Sequence, residues 1–246
     1  ERFFQIAGLL AGAPRAEVVD VDAVTELAAR VASGRDYQKP IKPAKPHKID
    51  AELPLMSCFT APCRTGCPIQ QDIPAYLSRV DEGRFAEALR IIVERNALPH
   101  ITGNLCPHPC GAKCERSFYE PEGARIREHK LTAAHEGFEE VVKALRAAGP
   151  SRLSSAADKN VAVVGGGPAG LATAFFLTRA GAKVTIIERT ESLGGVARHV
   201  IPAFRIPGED IDRDVALCLA FGAQVQMGRE VTSVDELFAE IERRFS

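Results

Sequence analysis

Six of the seven cysteines stand in two short groups. Cys58, Cys63 and Cys67 form the first, which runs into Pro68, and the second reads Cys106-Pro-His-Pro-Cys110-Gly-Ala-Lys-Cys114. Thiolates with three or four residues between them on a loop can converge on one soft metal centre, and a 4Fe-4S cluster takes about four of them. A cysteine followed by proline often serves the neighbouring cluster of a two-cluster module. Six thiolates fall short of the roughly eight that two such clusters take, so two ligands must be something else. Zinc is the rival, but it takes four ligands, commonly from C-x2–4-C pairs, and each triplet leaves an odd cysteine. Redox disulfides are a third reading, although no C-x-x-C is present. Cys218, on an apolar helical face, reads as core, and His108, between prolines, as a loop residue.

The second chemical signal is the run Gly165-Gly-Gly167-Pro168-Ala169-Gly170. The pattern G-x-G-x-x-G is weak alone. Here the apolar run Val161–Val164 precedes it, a helical stretch follows, and Glu188 closes a second apolar run, Lys183–Glu188. Gly165 allows the tight turn, Gly167 lets backbone approach a pyrophosphate, and Gly170, with Ala174, lets the helix lie close to the sheet. The helix N-terminus offers N–H groups and partial positive charge to phosphate. Glu188 suits a ribose diol and would repel a 2′-phosphate, so the site is expected to hold FAD or NAD and to exclude NADP. Gly194-Gly195 after the second strand reads either as a second backbone-close approach to ligand or as a plain turn.

These residues need two kinds of scaffold, and the 246-residue chain has room for both. Residues 1–49 hold a helical stretch (Val24, Leu27, Ala28, Val31, with Asp20 or Asp22 as cap) and a Pro/Lys linker at 39–48, taken as the tail of something preceding. Residues 50–150 read as mostly helical. One face is Ile73, Leu77 and Val80, started by Asp72 and Pro74; a second is Phe85, Leu89 and Ile92 after Gly83. A long helix runs through Leu131, Ala134, Phe138, Val141, Val142 and Leu145 and stops at Gly149-Pro150. A Ser/Ala-rich linker over 151–158 leads to a βαβ beginning at 159–246. There Ile211, Val215, Cys218 and Leu219 share a helical face, Gln224–Met227 is a strand, and Ser233 with Glu236 has capping-box spacing. The fold class is thus α followed by α/β: a helical two-cluster domain, then an incomplete Rossmann-type domain.

Net charge is −1, with 46% apolar and 26% charged residues. That balance favours neither nucleic acid nor an acidic membrane surface. No apolar run approaches the roughly 18 residues of a membrane helix. With no signal peptide visible and clustered cysteines, a cytoplasmic location is expected.

At family level, Leu53-Pro-Leu-Met-Ser-Cys58, Ala61-Pro-Cys63 and Cys67-Pro-Ile-Gln-Gln-Asp-Ile-Pro74 resemble the N-terminal iron–sulfur domain of dihydropyrimidine dehydrogenase and of the glutamate synthase small subunit. So does Asn96–Gly103 leading into the second triplet. The run through Gly165–Gly170, Glu188, Gly194-Gly195 and Ile201-Pro-Ala-Phe-Arg-Ile-Pro207 is similar to the iron–sulfur/flavin subunit named for selenate reductase. The resemblance covers about residues 50–246 and implies two 4Fe-4S clusters and FAD. Carried over by position, Gly165, Gly167, Gly170 and Glu188 hold the ADP part of FAD, with Pro168, Ala169 and Arg189 counted to the same site. Gly194, Gly195 and Arg205 lie nearer the pyrophosphate and flavin. Cys58, Cys63 and Cys114 would serve one cluster; Cys67, Cys106 and Cys110 the other. Related domains carry a further cysteine where this chain has Leu55, which leaves water, Asp50 or another oxygen donor for that corner. They also use Gln or an acidic ligand after the second triplet, where this chain reads Arg127-Glu-His-Lys130; Glu128 is the candidate, His129 the alternative. No residue points to selenate.

The expected activity is an NAD(P)H-linked FAD/iron–sulfur oxidoreductase that passes electrons on to a further acceptor. The flavin fold reaches only its third strand here and no second Gly-rich turn follows. The chain is therefore expected to be a piece of a longer polypeptide, with NAD(P)H bound by a domain outside it and partners among further domains or a separate redox subunit. The alternatives are a non-catalytic electron-transfer or docking module, and a flavoprotein with structural zinc.

Overall fold

The computed structural model describes residues 21–34, 60–118, 120, 122–150, 156–157, 159–235 and 237–239. Cys58, Leu55, Asp50, the Pro/Lys linker and Glu236 lie outside the described residues, as does most of the 151–158 linker. The chain divides into two compact units, Glu1–Ala51 and Glu52–Ser246. In the first, α1 (Val21–Ser33) is the expected helix, with Asp22 in its first turn rather than before it.

The second unit begins with helices set by short apolar faces. A one-turn helix, α2 (Pro62–Gly66), carries Cys63 and hands over to Cys67 at its C-terminal end. Then α3 (Ile73–Asp81) buries Ile73 and Tyr76, and α4 (Phe85–Val93) buries Ala88, Leu89, Ile92 and Val93. Asp72 stands at the cap position of α3, but its side chain makes no capping bond; its carboxylate lies 3.6 Å from Arg64. Between these helices and the second cysteine group lies α5 (Pro99–Leu105).

The long α6 (Ile126–Ala148) is the spine of this half. It buries Ile126, Lys130, Ala133, Ala134, Gly137, Phe138, Val141 and Val142, one face at helical spacing. A fully buried aliphatic such as Leu89 or Val141 contributes about 1.5–3 kcal/mol relative to exposure. Gly137 is a contact residue: a Cβ there would stand 2.7 Å from the Phe85 carbonyl. Gly149 (φ +64) ends the helix as the sequence predicts.

The α/β half contains β1 (Asn160–Val164), α7 (Pro168–Arg179), β2 (Lys183–Ile187), α8 (Val196–His199), α9 (Gly208–Cys218) and β3 (Gln224–Gln226). The three strands are parallel in the order β1-β2-β3, with Val161 opposite Val184 and Ile186 opposite Val225. β1 pairs on one side only among the described residues. After β3, Leu237 donates its N–H to the Ser233 carbonyl, one turn of the expected final helix.

Two helices join the halves of this unit: α9 packs on α5, α6 and α7. Arg179 of α7 reaches the Val93 carbonyl (3.2 Å) and Glu94 (3.1 Å). Cys218 is fully buried, donating to the Ala97 carbonyl, which is the core role read from its spacing. Asp214, also fully buried, accepts from the N–H groups of His100 (3.1 Å) and Ile101 (2.7 Å) and from His100 Nδ1 (2.8 Å). Asp214 thus caps the N-terminus of α5, where Leu98 supplies no side-chain cap.

Candidate functional site

The two cysteine groups meet because α2 lies against the short turn Gly111–Lys113. A Cβ on Gly66 would come 2.9 Å from Lys113 Cγ and 3.3 Å from Cys110 Cα, so glycine permits this approach. None of the described cysteines forms a disulfide. Cys110 and Cys114 are buried; Cys63, Cys67 and Cys106 are half-buried.

The thiols of the two groups act on one another. Burial pushes the Cys63 thiol up; the Arg64 N–H opposes this and a Cys114 thiolate adds to it. Burial also pushes Cys110 up, reinforced by Cys67 and Cys106. Tyr76 is buried and within electrostatic reach of Cys110, Cys67, Cys63 and Cys106; burial first and these thiolates second push its phenol up. Thiols raised in this way stay protonated at neutral pH unless a metal takes them. Backbone donors are in place for sulfur: the His108 N–H reaches Cys106 Sγ at 3.3 Å and the Ala124 N–H reaches Cys114 Sγ at 3.5 Å. His108 holds φ +40 on an exposed turn, a loop role as read.

The Glu128 carboxylate is exposed and lies 3.6 Å from Arg127. His129 turns its Nδ1 to the Arg125 carbonyl at 2.6 Å. Lys130, two residues further on, is 5% exposed, and Cys106, Cys110 and Cys67 act on its ammonium. Burial pushes that ammonium's pKa down, against the pull of these thiolates. Its Nζ donates to the Thr102 carbonyl at 3.1 Å. Lys130 shares the buried face with Ile126, Ala133 and Ala134, so the phase of α6 carried the signal.

At the nucleotide turn, β1 is followed by Gly165 (φ +97), whose N–H meets the Ile187 carbonyl at 2.8 Å. Gly167 is the N-cap of α7, and Pro168 opens the helix. Gly170 does what the pattern requires: a Cβ there would stand 1.9 Å from the Gly165 carbonyl oxygen. Gly195 (φ +51) would place a Cβ 2.7 Å from Gly167 Cα, and the Gly194 N–H donates to the Gly166 carbonyl at 2.9 Å. The Gly194-Gly195 pair therefore seats one turn against the other, so more than a plain turn depends on it.

Glu188 sits at the end of β2 and is buried. Its Oε2 accepts from the Gly166 N–H (2.6 Å), and its Oε1 from the Thr190 N–H (2.8 Å) and hydroxyl (2.9 Å). Burial pushes this carboxyl up, but the donors of Thr190 and Gly166 outweigh it and hold the carboxyl below the usual range. Glu188 thus anchors the Gly-rich turn to the sheet. Arg189 is exposed, 3.7 Å from Glu230, and Arg205 is exposed on the loop before α9. Val164, Val196, Val200 and Phe204 are exposed apolar side chains around the two turns.

The chain matches two family models in tandem. Residues 45–137 match the dihydropyrimidine dehydrogenase domain II, 4Fe-4S cluster family, and residues 163–227 match the NAD(P)-binding Rossmann-like domain. It is 42% identical over 210 residues to a protein named as an oxidoreductase, YgfK, of Escherichia coli K12, covering 85% of this chain and 20% of that one. It is 30% identical over 258 residues to the NADP(+)-dependent formate dehydrogenase subunit beta of Moorella thermoacetica, covering 99% and 36%. With the NADPH-Fe(3+) oxidoreductase subunit beta of Geobacter sulfurreducens it is 35% identical over 202 residues, covering 80% and 28%. The chain thus spans about a fifth to a third of these relatives. Among the described residues no helix is long and apolar enough to cross a membrane.

Proposed function

We propose that the chain, which matches the 4Fe-4S and NAD(P)-binding models and is similar to these oxidoreductases, forms the cluster-and-flavin arm of an NAD(P)H-dependent electron-transfer enzyme. The observation that carries this reading is the meeting of the two cysteine groups, with Gly66 of the first against Cys110 and Lys113 of the second. Cys114 acts on the Cys63 thiol, and Cys67 and Cys106 act on the Cys110 thiol. Six clustered cysteines exceed the four ligands of a single zinc site and suit two soft-metal centres. The residues present also suit the group: buried and half-buried thiols without disulfides among the described residues, and backbone N–H groups directed at sulfur.

In this reading Cys63 and Cys114, with Cys58, hold one 4Fe-4S cluster; Cys67, Cys106 and Cys110 hold the other. Such clusters supply one-electron relay, and FAD supplies the exchange between a hydride pair and single electrons. Tyr76 is a buried aromatic within electrostatic reach of thiols of both groups. Lys130 places a cation against the second set. At the nucleotide site Gly165, Gly167 and Gly170 let backbone approach a pyrophosphate, and the first-turn N–H groups of α7 face it. Glu188 orients the turn and accepts the ribose hydroxyls. A carboxylate here favours FAD over a 2′-phosphorylated nucleotide. The terminal acceptor belongs to further domains or a partner subunit.

The test is anaerobic reconstitution of the chain, followed by iron and sulfide analysis and EPR spin counting. About eight irons and two reducible centres are expected. Cys114→Ala should remove one centre and spare the one that depends on Cys106 and Cys110. Zinc in place of iron, or loss of the Cys106/Cys110 centre in Cys114→Ala, would overturn the assignment.

A further inference from the structure

Away from the cysteines and the nucleotide turn, α5, α6 and α9 bring His100, His135 and Asp210 together. Their ligand atoms all lie within 4.8 Å of one another. His100 is fully buried, and its Nε2 has no hydrogen-bond partner. Leaving a buried polar atom unpaired costs about 1–3 kcal/mol, so this nitrogen calls for an explanation. Its ring is held firmly, because Nδ1 lies 2.8 Å from Asp214 Oδ1 and Asp214 is itself fixed by the His100 and Ile101 N–H groups. A carboxylate on Nδ1 puts the ring proton there and leaves a lone pair on Nε2. This is the outer-shell arrangement that orients a metal-binding histidine.

The other two groups complete a ligand set. His135 Nε2 lies 2.8 Å from Asp210 Oδ1, and the Asp210 Oδ2 accepts from Asn104 Nδ2 at 2.8 Å. Asp210 is buried, while the His135 side chain is 36% exposed and opens a path from solvent. The two imidazole rings are 5.2 Å apart between centroids. Positive charge is nearby: Arg213 Nη1 is 3.3 Å from Asp210 Oδ1. Its other nitrogen is already bound to Glu209 at 2.8 Å on the surface, so this guanidinium has a place to go when an ion enters. Lys130 also acts on Asp214, but its Nζ is held by Thr102.

We propose that His100 Nε2, His135 and Asp210 form a transition-metal site of the zinc type, with a water as fourth ligand. Two imidazoles and one carboxylate suit Zn2+, at metal–ligand distances of about 2.0–2.2 Å. The ion replaces the direct His135–Asp210 hydrogen bond and gives His100 Nε2 its partner. Two ligands come from the helical half and one from α9, so the ion ties the two halves of this unit together. The site uses no cysteine and stands whether or not the cluster assignment holds.

The experiment is Zn2+ calorimetry on the cluster-loaded chain after mild chelator treatment, with iron content and thermal midpoint measured beside it. One saturable Zn2+ per chain is expected, with a raised thermal midpoint. His135→Ala, a change near the surface, should abolish that binding and leave iron content unchanged; Cys106→Ala should retain it. Absence of saturable Zn2+ binding by the folded wild-type chain would overturn the proposal, leaving a polar seam only. So would equal binding by His135→Ala, or binding lost in Cys106→Ala but kept in His135→Ala.

Discussion

Replacing Asp214 by alanine tests how far the helical half depends on the α/β half. The carboxylate accepts three hydrogen bonds, from the His100 N–H, the Ile101 N–H and His100 Nδ1, in a fully buried place. Alanine leaves all three donors unpaired. At about 1–3 kcal/mol each, moderated by local relaxation, the loss should be about 3–5 kcal/mol. Asp214→Asn keeps one acceptor oxygen and should lose about 1–3 kcal/mol. Two measurements separate the reasoning from a general loss of packing. Anaerobic urea unfolding gives the free energy, and hydrogen exchange over residues 98–105 reports the N-terminus of α5. Both variants should lose protection there first, before α4 or the middle of α6. A free energy within about 0.5 kcal/mol of wild type in Asp214→Ala, or unchanged exchange in α5, would refute the trans-cap account.

Glu188→Ala should weaken flavin binding roughly 10–100-fold, because it removes the charged acceptor of the Gly166 N–H as well as the ribose acceptor; flavin content after gel filtration checks this. The Glu188 carboxyl is held low in the folded chain, so its stabilisation is complete above its unfolded pKa of about 4.3 and is lost as pH falls through the lower folded value. Urea midpoints from pH 7 down to 4 and below should therefore fall less steeply in Glu188→Gln than in wild type. Gly170→Ala meets the Gly165 carbonyl at 1.9 Å, and its expected outcome is loss of flavin, read by absorbance, with the clusters kept. Lys130→Met removes the cation beside Cys67, Cys106 and Cys110 and should lower the midpoint potential of one cluster in an EPR redox titration, leaving the other unmoved.

Local backbone demands were legible. Gly165, Gly170 and Gly149 each occupy positions where a side chain would be strained or would clash, and such demands are written into single residues. Helix faces in α3, α4 and α6 followed from apolar spacing for the same reason. What escaped were pairings made by tertiary packing. His100 and Asp214 stand far apart in sequence, and neither residue type announces the other. α5 was hidden because its cap comes from α9 instead of its own preceding residue. Glu128 and His129 stand out by ligand chemistry, whereas Lys130 is visible only through helix phase, since it falls on the face that Ile126, Ala133 and Ala134 bury.

The edge position of β1 has a practical consequence. Its outer row of N–H and C=O groups pairs with no strand among the described residues, and Val164 at its end is 54% exposed. A bare edge of this kind is a template for any extended segment. At high concentration and without a covering strand, the chain should self-associate along β1. A lysine or proline on that edge, away from the Gly-rich turn, is the first change to make for a monodisperse preparation.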